Sequence, residues 1–186
     1  MKRFALPTVL AAVAALSVTS PAGAQYVFFG GGPTFPSGDF KNVTDAKTGY
    51  TFMAGFGVDI GSKGLFIEAE IGRGSNSHDN TGNFKEKTNV ITAFGALGYA
   101  FGAAEKKVRP YLLAGAGLVA NQFRTDAGPP RSDLEGTESN FGATGAGGLS
   151  IKLNEKASVW LEGRYVGSEG TNFIAGLFGI TINFGN

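Results

Sequence analysis

Side-chain polarity changes at nearly every residue over several stretches of the chain. In Leu65-Phe66-Ile67-Glu68-Ala69-Glu70-Ile71 the odd positions are apolar and the even ones include two carboxylates. Successive side chains of a strand point to opposite faces, so one face is apolar and the other charged. The segment from Val159 to Tyr165 repeats the pattern, with Val159, Leu161 and Tyr165 on one face and Trp160, Glu162 and Arg164 on the other. Leu149, Ile151 and Leu153 flank Ser150 and Lys152 in the same way, and the last segment sets Ile174, Phe178, Ile180, Ile182 and Phe184 against Thr181 and Asn183. Gly recurs every few residues, and each one inside a helix costs about 1 kcal/mol relative to Ala. The pattern therefore predicts strands and no helix beyond the N-terminal segment.

Alternation and turn residues place eight strands, at 25–32, 50–60, 64–74, 87–101, 108–123, 140–153, 158–166 and 171–184. Gly and Ala leave the faces of the first and fifth unassigned. The connections alternate in length: 33–49, 75–86 and 124–139 are long, 61–63, 102–107 and 154–157 are short, and only 167–170 is short where a long one is due. Short turns on one side and long loops on the other are the topology of an outer-membrane barrel. The longest apolar stretch, Tyr111 to Ala120, is half a spanning helix but long enough for a tilted spanning strand of about 9–11 residues. Tyr99, Phe101 and Phe184 sit at the short-turn end on the apolar face, where a membrane barrel carries an aromatic girdle. Charge on that face is confined to Arg73, near the long-loop rim. The expected fold is all-β: an eight-stranded, antiparallel, up-and-down transmembrane β-barrel with both termini periplasmic. A soluble barrel or sandwich also alternates and is the rival architecture.

Composition narrows the chemistry. The 186 residues include 30 Gly, 16 Phe and no Cys, with 16 basic against 15 acidic side chains. That balance offers nothing to attract a phosphate backbone, so nucleic acid is not an expected partner. Without Cys there are no disulfides, thiolate nucleophiles or thiolate metal sites. Lys2 and Arg3, the apolar run from Phe4 to Val18, and Ala22 and Ala24 before Gln25 have the order of a secretory signal peptide. The expected division is a signal peptide at 1–24, cleaved after Ala24, and a barrel domain at 25–186.

Three segments resemble the small eight-stranded outer-membrane barrels, such as the transmembrane domain of outer-membrane protein A and the opacity-type surface proteins. Arg109-Pro110-Tyr111-Leu112-Leu113-Ala114-Gly115-Ala116-Gly117 is similar to the family's Pro-Tyr strand with alternating Gly, and Leu161-Glu162-Gly163-Arg164-Tyr165 to its penultimate-strand Glu-x-Arg-aromatic pattern. Gly179 to Phe184 resembles the terminal signal read by the barrel-assembly machinery, with Gly179, Ile182 and Phe184 as its key positions, although Gly185 and Asn186 follow the aromatic where the family usually ends on it. The resemblance implies a Gram-negative outer membrane as the location. It implies membrane lipid, the assembly machinery and periplasmic chaperones as partners, and a monomer.

Glu68, Glu70, Lys152, Glu162 and Arg164 share the inward parity. An eight-stranded barrel is only wide enough for side chains to fill, so these charges are expected to form an interior network that plugs it. A narrow ion path through the same residues is the alternative. Glu68 and Glu70 sit two residues apart on one face because alternation puts them there, and catalysis is not expected from them. His78, the only histidine, lies in the polar segment Gly74 to Asn80 beside Ser75, Ser77 and Asp79. A nucleophile and base need a fixed mutual geometry that a loop tip does not offer. Asp79 and Asn80 lack the further oxygen ligands of a calcium loop. No cofactor, metal site or catalytic residue is expected. The functional reading is a non-enzymatic structural or surface-interaction protein, adhesin-like, whose polar loops face a host or cell-surface ligand. The rivals are a narrow porin-like channel and a lipid-modifying enzyme.

Overall fold

The computed structural model describes residues 25–42, 46–60, 63–77, 85–126 and 134–184. The expectations for Ala22 and Ala24, for His78, Asp79 and Asn80, and for Gly185 and Asn186 fall outside these residues. Eight strands run in order: β1 (Gln25–Ser37), β2 (Gly49–Ile60), β3 (Leu65–Ser77), β4 (Lys85–Ala100), β5 (Val108–Asp126), β6 (Leu134–Lys152), β7 (Ala157–Ser168) and β8 (Thr171–Asn183). Each pairs antiparallel with its sequence neighbour, and β8 returns to β1, closing the barrel. Closure removes both sheet edges, so every strand finds hydrogen-bond partners on both sides without water, as a spanning sheet requires.

All eight expected strands are present, but several run further toward the long-loop end. β1 continues to Ser37, β3 to Ser77 and β5 to Asp126, and β5 stays paired with β6 as far as Thr125 opposite Leu134. The added ends of β3 and β5 are polar, that of β1 carries two prolines, and all three read as loop in the sequence. Above the lipid, pairing needs no apolar face, so alternation stops before the ladder does. The expectation of no helix is also corrected. A single turn, α1 (Gly38–Asn42), follows β1. Gly38 turns the chain there at φ 55°, and Phe40, 1% exposed, anchors the turn inside the barrel mouth.

The outer surface is apolar and exposed. Ile67, Ile71, Leu161, Ile174 and Phe178 all face out, the last 68% exposed, as strand parity requires. Tyr99 and Phe101 meet edge to face at 5.0 Å at the short-turn end, and Tyr50 and Phe52 do the same at 5.6 Å near the long loops. The two faces left open by the sequence are now assigned. Tyr26, Phe28 and Thr34 of β1 point inward, as do Tyr111, Leu113, Val119 and Asn121 of β5.

Glycine explains how so many inward aromatics fit. Tyr26 pairs with Gly57, Phe28 with Gly55, Phe66 with Gly98 and Tyr111 with Gly148, each directly across a strand boundary. A Cβ on any of these glycines would collide with the facing ring. Trp160 of β7 lies beside Gly179 of β8, which is itself opposite Gly30 of β1, and the indole covers both. The side chain missing from one strand is the space occupied by the next.

Candidate functional site

The lumen has two halves. Toward the long loops, Val90, Val119, Val166, Phe173, Ala175 and Leu177 join Phe40 and Ala46 in one buried apolar cluster. Polar clips hold its rim: Asn76 Nδ2 donates to Thr34 Oγ1 at 3.2 Å and to the Lys47 carbonyl at 2.8 Å, fastening the returning first loop to β1 and β3. Asn121 Nδ2 donates to Thr171 Oγ1 at 2.5 Å.

Below this cluster sits the ion group. Arg164 Nε donates to Glu162 Oε1 at 2.7 Å, and its Nη1 donates to Glu70 Oε1 from across the barrel. All three side chains are buried. Small residues make the room: Arg164 stands between Ala146 of β6 and Ala175 of β8, and Gly148 faces Glu162. Two tyrosines complete the group. Tyr111 Oη donates to Glu162 Oε2 at 2.8 Å, and Tyr26 Oη donates to Glu68 Oε1 at 2.9 Å. Burying charge is costly unless paired and hydrogen-bonded, and this arrangement supplies bonds to each carboxylate. Glu70 Oε2 is the exception, buried without a partner.

Of the five residues marked in the sequence, Glu70, Glu162 and Arg164 are brought together. Glu68 lies one step lower with Tyr26, and among the described residues it has no ion-pair partner. Lys152 does not join them. As the last residue of β6 it reaches the short-turn rim, where Nζ meets Glu155 at 2.9 Å with side chains 35% and 88% exposed. A long flexible side chain at the barrel mouth reaches water more cheaply than a buried carboxylate. The sequence reading missed Tyr26 and Tyr111, whose strands carried no assignable parity, and Phe40. Gly179 faces the lumen under Trp160, whereas Ile182 and Phe184 do not share that face.

Between the ion group and the short turns is a cavity of about 360 Å³, bounded by Tyr26, Phe28, Phe66, Tyr111 and Trp160, with Glu68, Glu162 and Arg164 at its deep end. Asp59, Lys106, Arg109, Lys152 and Glu155 stand at its mouth. Among the described residues no cluster of three His, Cys, Asp or Glu side chains is arranged for a metal ion.

Known proteins place this architecture. Residues 8–184 match the family described as the outer membrane protein β-barrel domain. Among solved structures, the chain is similar to Neisserial surface protein A, at 19% identity and TM-score 0.60, covering 88% of this chain and all of that one. It is similar to Ail, the attachment invasion locus protein of Yersinia pestis, solved with the heparin analogue sucrose octasulfate, at 11% identity and TM-score 0.56 over 87% and 97% of the two chains. The N-terminal barrel domain of Pseudomonas aeruginosa OprF matches at 16% identity and TM-score 0.50 over 88% and 100%. No curated protein sequence matches the chain. The match across nearly the whole length establishes that the chain belongs to the outer membrane protein β-barrel domain family.

Proposed function

We propose that this outer-membrane barrel is a non-enzymatic, monomeric surface-interaction protein that keeps its own lumen shut and meets its ligand through its long loops. One observation carries the reading: the long-loop half of the lumen is closed by a buried apolar cluster with Phe40 folded back into it, and the polar side chains buried beside it, Thr34, Asn76, Asn121 and Thr171, are tied to one another. A pore needs a continuous polar path, and here the ion group is capped by that cluster. Paired strand ends carry β3 with β4 and β5 with β6 beyond the apolar belt, offering a rigid base for ligand contact. The reading includes removal of residues 1–24 after Ala24, supported by the basic start, the apolar run and the small residues that end that segment. It also includes delivery by periplasmic chaperones and recognition of Gly179, Ile182 and Phe184 by the assembly machinery, supported by the place of the first two on the strand that closes the barrel and of Phe184 directly after it, its N–H donating to the Gln25 carbonyl. The channel reading rests on the cavity and ion group, and it requires the cap to move.

The test pairs two measurements. Cells displaying the protein are compared with cells in which segments 78–84 and 127–133 are replaced by Gly-Ser, on surfaces coated with matrix proteins or with heparin, the latter because Ail was solved with a heparin analogue. Purified protein is examined in planar bilayers. Loop-dependent retention with no discrete current is the expected result. Steady channel openings together with retention that ignores the loops would replace this reading with a pore.

A further inference from the structure

The cavity at the short-turn end has aromatic walls and charged groups at both its ends. Its walls are five aromatic side chains in two groups. Phe28 meets Trp160 edge to face with centroids 6.4 Å apart, and Phe66 meets Tyr111 at 6.2 Å. Its charges are sorted by depth. At the inner end Glu68, Glu162 and Arg164 line it, and the Arg164 guanidinium is engaged by Glu162 and, beyond the cavity wall, by Glu70. Glu68 is left with only the Tyr26 hydroxyl. At the mouth Lys152 is taken by Glu155, while Lys106 and Arg109 line the entrance beside Asp59. Arg109 keeps a buried Nε–H without an acceptor, its one bond running from Nη2 to the Ala100 carbonyl at 3.4 Å.

We propose that this cavity is a binding site for a small zwitterion with separated charges: an ammonium that reaches Glu68, a flat apolar body between the aromatic walls, and an anionic group held at the mouth by Arg109 and Lys106. Each part answers a feature of the cavity. A cation close to aromatic faces and an unpaired carboxylate is stabilised by both, more so where water is excluded. The cavity volume falls within the range of small-ligand sites, and aromatic walls with a few placed polar groups are their usual lining. An anion lacking the ammonium would meet the carboxylates, and a cation lacking the anionic end would leave Arg109 unsatisfied. The outer end of the site lies at the short turns, so the ligand enters from the periplasm and is distinct from anything the long loops meet.

The chain's only tryptophan is Trp160, so fluorescence excited at the indole edge reports on this wall alone. The refolded protein in detergent is titrated with 4-(aminomethyl)benzoate, a zwitterion with a ring between its charges, and with benzylamine and benzoate as single-charge probes. The zwitterion should give a saturable change and bind at least about tenfold more tightly than either analogue. Glu68→Gln should weaken the zwitterion and benzylamine by about tenfold and leave benzoate unaffected. Lys106→Ala, at an exposed turn position where folding is not at stake, should weaken the zwitterion and benzoate severalfold and leave benzylamine unaffected. Equal, non-saturating responses to all three probes would overturn the site, since that is simple partitioning. Saturable binding that neither substitution alters would overturn the assigned contacts. Should Glu68→Gln fail to fold, the Lys106→Ala comparison decides alone: loss of benzylamine and benzoate in equal measure refutes the proposal.

Discussion

Arg164 is the residue on which the interior depends most, and Arg164→Ala measures that dependence. The substitution removes the bonds to Glu70 and Glu162 and leaves three inward carboxylates with no cation at the inner end of the lumen. Two charge-assisted bonds contribute about 1.5–3 kcal/mol each. Breaking a buried pair from one side costs about 3–5 kcal/mol. Both routes converge on a loss of about 4 kcal/mol, and the side chains are buried enough that water does not rescue them. With a urea slope of about 2 kcal/mol per molar, the unfolding midpoint in lipid vesicles should fall by about 2 M. Lys152→Ala is the matched control. Its pair with Glu155 is largely exposed, and exposed pairs contribute about 0–1 kcal/mol. A second comparison separates lost charge compensation from lost packing. The triple variant Glu70→Gln, Glu162→Gln, Arg164→Met removes the charge of the three paired residues, leaving Glu68 on its Tyr26 bond, and should recover most of the lost stability, since well-packed neutral replacements of buried ion groups are often tolerated. An Arg164→Ala midpoint equal to wild type, or an equal loss in Lys152→Ala, would refute the reasoning.

Four further outcomes are expected. Phe178→Arg, on the lipid face of β8 about midway along the strand, should cost about 2–4 kcal/mol in vesicle unfolding, while Thr181→Arg, which opens into the cavity, should cost clearly less; the reverse order would invert the faces. Gly179→Ala drives a Cβ into the Trp160 ring and should cost about 1–3 kcal/mol, whereas Gly163→Ala, with open space around it, should stay within about 1 kcal/mol of wild type in the same unfolding assay. Phe40→Ala should release α1 without unfolding the barrel, seen as new protease cleavage within 38–42 while the circular dichroism of the strands is unchanged. N-terminal sequencing of the membrane-inserted protein should begin at Gln25; a start at Met1 would show that the leader is retained.

The strands and their outward faces were legible in the sequence because their cause is local. A side chain that meets lipid must be apolar whatever the rest of the chain does, so Ile67, Leu161 and Phe178 declare themselves by parity alone. The number of strands, the alternation of loop lengths and the girdle at Tyr99, Phe101 and Phe184 follow from the same constraint. Where that constraint lapses, so does legibility. The polar ends of β5 and β6 carry no lipid signal and looked like loop, and α1 is held by the buried Phe40 rather than by helix propensity.

The interior was decided by closure. Arg164 and Glu70 are 94 residues apart and on strands that are not neighbours, and they meet only because the barrel closes to a width that two side chains can bridge. Inward parity marked five charged residues alike, and it had no means of sending Lys152 to the rim while Arg164 turned to the centre. The fit of Tyr26 over Gly57 or Trp160 over Gly179 is a property of register between strands, so the sequence contains both partners without stating that they meet. A side chain's outward environment is set by the bilayer and can be read one strand at a time; its inward environment is made of the other seven strands, and only the assembled barrel defines it.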